Sequence, residues 1–418
     1  MSAAVTLKTE NFGELTDDAG RAVSVQKFTW QTGAGLRLSV LNLDAAIIEL
    51  CVPDRSRQNA VNVLLAVDNL DEYLQLDPTI VCGAHFEKDW PALSGNGRRL
   101  EPGTGRRVID GGRMWDCFVD QTRLHLSLMR KPPTQRRSVT FATITISVEP
   151  ANVVRIQYQT CGANGGQFRV AHRFLLNLAG AESGARGTYE HVVQLNADTY
   201  IDEAHNLRAS VENIADLRIA QHLGLSLYKA HQEGAQNSPR IGGIYAVNNA
   251  CQDGFALRLI HTGSGRALEL YSDFPWLHFS TLDHLPPAKD TIVPFYPREG
   301  IERVSLIFAL DEFILSVVNS AEEEQPSVQT EQDGAWDEKD EIPEQEATAC
   351  GAKFQKNNGF LIHPMACTFR SKDQESIATE TRERCPSHDH HASAPVGPFV
   401  GHVTLKFGIC KPLQPEDR

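Results

Sequence analysis

The sequence has no C-x-x-C pair, and its nine cysteines are scattered along 418 residues in odd number. That argues against a disulfide framework or a zinc knuckle; reduced thiols in a cytosol are expected. No apolar run reaches the length needed to cross a bilayer. The first residues, Met1-Ser-Ala-Ala-Val-Thr-Leu-Lys8, lack a basic segment followed by an apolar one, so no secretory leader is read and a cytoplasmic protein is expected. No basic stripe is present, which argues against nucleic acid as a partner. Gly103-Thr-Gly105 does not continue into a dinucleotide-binding fingerprint. No cofactor and no membrane partner are expected.

The net charge of −13 is local rather than general. Between Ser320 and Cys350 there are eleven acids and one lysine, a net of −10. Taking that from −13 leaves only −3 for the rest. Residues 321–348 are read as a disordered acidic insertion. Residues 371–395 are read as a second, flexible polar loop. Strand-like sequence resumes after each, so one domain spanning 1–418 is expected.

What the chain does have is period two. Leu124-His-Leu126-Ser-Leu128, Ala142-Thr-Ile144-Thr-Ile146-Ser-Val148 and Val154-Arg-Ile156-Gln-Tyr158 all alternate apolar with polar. Such alternation marks strands with one face buried. Residues 256–261 and 266–271 flank Thr262-Gly-Ser-Gly265 and read as a hairpin. Helical periods are scarce. The best is Asp68 to Leu74, with Asp68 as the expected N-cap. The fold class is therefore all-β, a large sandwich of antiparallel strands with few short helices. With 41% hydrophobic and 22% charged residues, the composition is that of an ordinary globular chain.

Several stretches, in order, resemble the aldose 1-epimerase (galactose mutarotase) family. Leu50-Cys-Val-Pro-Asp-Arg-Ser56 is similar to its "VPDRxG" turn. Val61-Asn-Val-Leu-Leu-Ala-Val-Asp-Asn-Leu-Asp-Glu-Tyr-Leu74 is similar to "DVVLGFDxLxxYL". His191 to Glu203 resembles "HxxxixADxYxxxDE", Ser264 to Pro275 resembles "SGRvmevyTteP", and Gly397 to Phe407 resembles the closing strand. The matches span roughly residues 10 to 410. The resemblance implies a β-supersandwich and a sugar-binding face.

The same resemblance implies a set of chemical positions, and most are altered here. Mutarotation needs a general base at the anomeric hydroxyl and a general acid at the ring oxygen. The position of the family's base, a Glu, falls on His363 in Gly359-Phe-Leu-Ile-His-Pro-Met365. The position of its acid, a His, falls on Arg173, with His172 one residue away. On a strand that offset means the opposite face, so His172 could take the role only through a bulge. A sugar-binding Asn-Arg pair becomes Glu87-Lys88, a His becomes Asp110, and a Gln becomes His278. An Asp of the family has no counterpart near Gly242 to Asn248. Lys88, Asp110 and His278 are the substrate-binding candidates.

Each candidate also has a plainer reading. His363 is a competent base by its ordinary pKa, yet a base without a partner acid does little, and a histidine at an abandoned site fits as well. His278, His363 and Asp110 have ligand types suited to a divalent metal, but their spacing is no metal signature, and no metal is expected. Cys385, His388, His390 and His391 read as a solvated loop rather than a site. Trp336 could anchor a protein partner within the acidic insertion. The sequence thus supports a mutarotase-like carbohydrate-binding fold whose epimerase activity is lost or strongly reduced. The alternatives are an active 1-epimerase for a hexose or hexose phosphate, or a non-enzymatic scaffold.

Overall fold

The computed structural model describes residues 5–17, 20–76, 80–86, 108–109, 113–130, 140–162, 169–201, 207–212, 216–232, 241–282, 314–315, 353–354, 357–366 and 398–412. Lys88, Asp110, the acidic insertion at 321–348 and the polar loop at 371–395 lie outside the described residues.

The alternating stretches form the centre of a nine-stranded sheet. Its order is Gln221–His222, His191–Leu195, Phe255–His261, Arg266–Ser272, Phe399–Ile409, Val153–Gly162, Thr140–Glu149, Arg123–Arg130 and Asp116–Asp120. Every neighbouring pair in it is antiparallel. Leu124, Leu126, Leu128, Ile144, Ile146, Val154, Ile156 and Tyr158 all face inward and are buried. The polar residues between them take the wet face, as the period requires. The expected hairpin forms, with Arg258 opposite Glu269 and Leu259 opposite Leu268.

Two six-stranded sheets accompany it, with two small two-stranded ones, Ala84–Phe86 with Val170–His172 and Ile314–Leu315 with Lys411–Pro412. The first runs Ala60–Asn62, Ile47–Pro53, Arg37–Leu41, Ala22–Thr32, Val5–Asp17 and Val108–Ile109. The second runs Phe174–Leu176, Phe360–Met365, Trp276–Ser280, Gly242–Ala246, Thr199–Ile201 and Leu207–Ala209. One large cluster of buried apolar side chains draws from all three larger sheets, with Phe28, Trp30, Tyr158, Tyr245, Phe279 and Phe360 among its members. The Trp30 indole N–H donates to the Thr122 carbonyl at 2.7 Å, fixing the N-terminal sheet to a turn of the nine-stranded one.

The short helix spans Leu70–Gln75, and its N-cap is Asn69, not Asp68. Asn69 Oδ1 accepts the Glu72 N–H at 2.9 Å, the bond an N-cap makes to satisfy an orphan donor. Both neighbours are Asx residues. The one that caps is the one adjacent to the first helical turn.

Arg266 ties the hairpin to the N-terminal sheet. Its guanidinium is buried and donates to the carbonyls of Val52 at 3.0 Å, Leu178 at 3.2 Å and Asn59 at 3.3 Å.

Candidate functional site

The strand Phe360–Met365 is buried along its whole length. It lies between Phe174–Leu176 on one side and Trp276–Ser280 on the other. Gly359 precedes it at φ +120°, where a Cβ would lie 2.6 Å from the Leu176 carbonyl oxygen. Only glycine fits this backbone without strain.

Register then decides which side chains meet. His278 stands directly opposite His363. On the other side Phe174 pairs with Ile362, so the next position along brings Arg173 level with His363. Ile244 pairs with His278, and Ile201 with Ile244. One row across the sheet therefore reads Arg173, His363, His278, Ile244, Ile201. Neighbouring strands are about 4.8 Å apart, so the row passes from cation to apolar over three strand steps, about 14 Å. Ile201, Ile244 and Met365 form their own buried cluster, with Trp276 packed against it.

A fourth member comes from a distant segment. His85 lies on the strand Ala84–Phe86, which pairs with Val170–His172. Its ring sits edge-on to His363 with centroids 6.2 Å apart. His85 Nε2 donates to the Val81 carbonyl at 3.0 Å, leaving Nδ1 as the lone-pair nitrogen.

The electrostatics are one-sided. Burial pushes the His363 pKa well below the ordinary value, and Arg173, His85, His278 and His172 all push the same way. Burial, then Arg173, lowers His85 to about 3. These imidazoles are neutral at neutral pH, and Arg173 is the fixed charge among them. Arg173 itself is buried, and its backbone N–H donates to the Gly83 carbonyl at 3.2 Å.

His172 belongs elsewhere. It is fully buried, and burial lowers its pKa to about 4. Its Nε2 donates to the Ala45 carbonyl at 2.8 Å and its Nδ1 accepts the Tyr158 hydroxyl at 2.9 Å. Both nitrogens are committed to the core. The one-residue offset from Arg173 thus separates a structural histidine from a residue level with His363.

Of the candidates from sequence, Arg173, His278 and His363 come together, while Lys88 and Asp110 lie outside the described residues. His85 was not singled out from sequence. The signal available was its place in Gly83-Ala-His-Phe-Glu-Lys88, the stretch aligned with the family's sugar-binding Asn-Arg pair. Among the described residues, no group of three or more His, Cys, Asp or Glu side chains could hold a metal ion. No helix among them is long and apolar enough to cross a membrane.

No family model matches the chain. It is 26% identical to a galactose mutarotase of Sus scrofa over 308 residues, covering 69% of this chain and 86% of that one. It is 25% identical to a galactose mutarotase of Homo sapiens over 310 residues, with the same coverages. A solved GalM/aldose epimerase homologue from C. elegans superposes with a TM-score of 0.54 at 14% identity, covering 98% of this chain and 100% of that one. A galactose 1-epimerase from Lactobacillus acidophilus gives a TM-score of 0.56 at 13% identity, with coverages of 98% and 100%.

These likenesses support a divergent member of the aldose 1-epimerase family. Its all-β architecture is the galactose mutarotase-like fold. In this aldose 1-epimerase relative, the positions that the resemblance gives to the base and the acid carry His363 and Arg173. They occupy the same row of one sheet, beside His278 and His85.

Proposed function

We propose that this protein is a carbohydrate-binding mutarotase relative that has lost the anomerisation reaction or keeps it only weakly. The observation that carries this reading is the placing of Arg173 level with buried His363. Ring opening needs a group that takes a proton and one that gives it. Burial and the adjacent guanidinium make His363 a poor proton acceptor. Arg173 does not release a proton, because an arginine pKa exceeds about 12. Neither half of the acid–base pair is supplied. The six described cysteines that are free support a reducing, cytoplasmic setting.

A second reading has one observation behind it. A fixed cation at a former neutral-sugar position suits an anionic sugar such as a hexose phosphate. Under that reading the substituted residues would still turn it over.

Anomerisation of α-D-galactose, α-D-glucose and α-glucose 6-phosphate, followed by polarimetry or NMR, separates these readings. We expect no acceleration above buffer with any of them. Acceleration that disappears in His363→Ala would sink the proposal, and acceleration with the phosphate alone would establish the second reading.

A further inference from the structure

A second constellation lies on the nine-stranded sheet, away from the row just described. The hairpin between Phe255–His261 and Arg266–Ser272 turns through Thr262, Gly263, Ser264 and Gly265. Ser264 Oγ lies 2.8 Å from His261 Nδ1. His261 Nε2 lies 3.2 Å from Glu190 Oε2. Glu190 directly follows the helix Gly184–Tyr189, so the carboxylate is brought from a separate element.

Proton placement follows from the partners. His261 Nδ1 also receives the Ser264 backbone N–H at 3.2 Å. Nδ1 is therefore the lone-pair nitrogen, and Nε2 carries the proton that points at Glu190. A hydroxyl donates to one nitrogen while a carboxylate orients the other. That is the relation by which a base activates an oxygen nucleophile. The Arg266 N–H donates to Ser264 Oγ at 3.2 Å and supports negative charge there as the proton leaves.

The turn is partly open to solvent. Ser264 is half-buried rather than enclosed, and Gly263 beside it is exposed. A Cβ on Gly263 would sit 3.1 Å from His261 Cε1, so glycine keeps the turn close over the imidazole. Gly265 takes φ +73°, and Arg55 packs against it, with Nε 2.9 Å from where a Cβ would be. The exposed Arg55 guanidinium donates to the carbonyls of Thr262 and Cys410, both at 3.1 Å. It places a permanent positive charge at the turn.

A simple turn cap accounts for the Ser264–His261 bond alone. It does not account for a buried imidazole whose second nitrogen meets a carboxylate from another element, nor for the cation at the turn.

We propose that Ser264, His261 and Glu190 form a nucleophilic triad that accepts the acyl group of small carboxylic esters. Ser264 Oγ attacks the ester carbonyl while His261 Nδ1 takes its proton. Collapse of the tetrahedral adduct breaks the ester C–O bond, and the departing alkoxide or phenoxide takes that proton. Water then hydrolyses the acyl-serine by the same route, releasing the carboxylic acid. Arg55 adds positive charge at the turn that carries the nucleophile. Gly263 and Gly265 add no bulk beside the nucleophile, which favours a small acyl group. Burial lowers the His261 pKa, so the imidazole is a neutral base at neutral pH. None of this depends on the sugar-binding reading.

The test uses the full chain with p-nitrophenyl acetate and, separately, a fluorophosphonate probe, each followed by intact mass and peptide mapping. We expect one adduct per chain, on the peptide holding Ser264, and none in Ser264→Ala. Glu190→Gln, at a partly exposed position, should slow labelling about 10²-fold while the melting transition is kept. A folded wild-type chain unmodified at Ser264, or equal labelling rates in wild type and Glu190→Gln, would overturn the proposal. A mere turn cap predicts a stability change in Ser264→Ala with no adduct in either chain.

Discussion

His278 and His363 stand directly opposite one another on adjacent antiparallel strands. The His278 imidazole makes it harder for His363 to gain a proton, and Arg173 adds a permanent cation to the same row.

Removing that cation should release part of the constraint. In Arg173→Met the pKa of His363 is expected to rise, because Arg173 is the largest influence after burial. Histidine-labelled NMR across an acid titration reads it directly. His363 should begin to titrate at a higher pH in the variant than in the wild type, and an unmoved onset would show that Arg173 does not govern it.

The buried histidines also make stability fall in acid. His85 and His172 have pKa values of about 3 and about 4 in the folded chain, and those of His191 and His363 are lowered well below the ordinary value. In the unfolded chain each takes a proton near pH 6.5. The unfolded state thus binds more protons as pH drops through 6.5, so stability is lost from there downward until the folded values are reached. Each fully buried histidine should cost about 2 kcal/mol between pH 7.5 and 5. Urea midpoints over that range should fall with pH, and a flat profile would contradict the assignment.

Arg266 predicts a structural loss. Its three carbonyl partners lie in or beside three separate stretches of chain, and Arg266→Leu would take this donor from the buried bonds to Val52 and Leu178, while the exposed Asn59 carbonyl keeps the Asp54 N–H at 2.9 Å. The expected cost is about 3–5 kcal/mol. Arg266→Lys should recover little of it, since an ammonium lacks the planar fork that reaches all three. Denaturant unfolding of both variants checks this, and near-wild-type stability in Arg266→Lys would show that charge alone suffices.

Gly359→Ala tests the entry to the site strand. The methyl would meet the Leu176 carbonyl at 2.6 Å on a backbone with positive φ. A loss of about 1–3 kcal/mol is expected, seen as a lower unfolding midpoint. Unchanged stability would mean that the two strands can part there without cost.

Much of this architecture was legible in the sequence for a physical reason. Period two is a local property, so Leu124 to Leu128 and Ala142 to Val148 announced their buried faces without any partner. The parity argument likewise marked His172 and Arg173 as belonging to different faces, and His172 is indeed committed to Tyr158 and Ala45. What local pattern cannot supply is a meeting between segments far apart in the chain. His85 reaches His363 only because Ala84–Phe86 pairs with Val170–His172. The cap of the first helix failed by one residue for a related reason. Asp68 and Asn69 are chemically near-equivalent caps, and only the backbone decides which one meets Glu72.

The strand Phe399–Ile409 lies in the middle of the nine-stranded sheet, between Val153–Gly162 and Arg266–Ser272. During synthesis its two neighbours leave the ribosome long before it does. Until residue 409 emerges, the growing chain holds two sheet fragments with complementary open edges and no strand to bridge them. Open edges invite pairing with other chains, so this protein is most exposed to chaperones, and to mispairing, in the interval between the synthesis of Ser272 and that of Phe399.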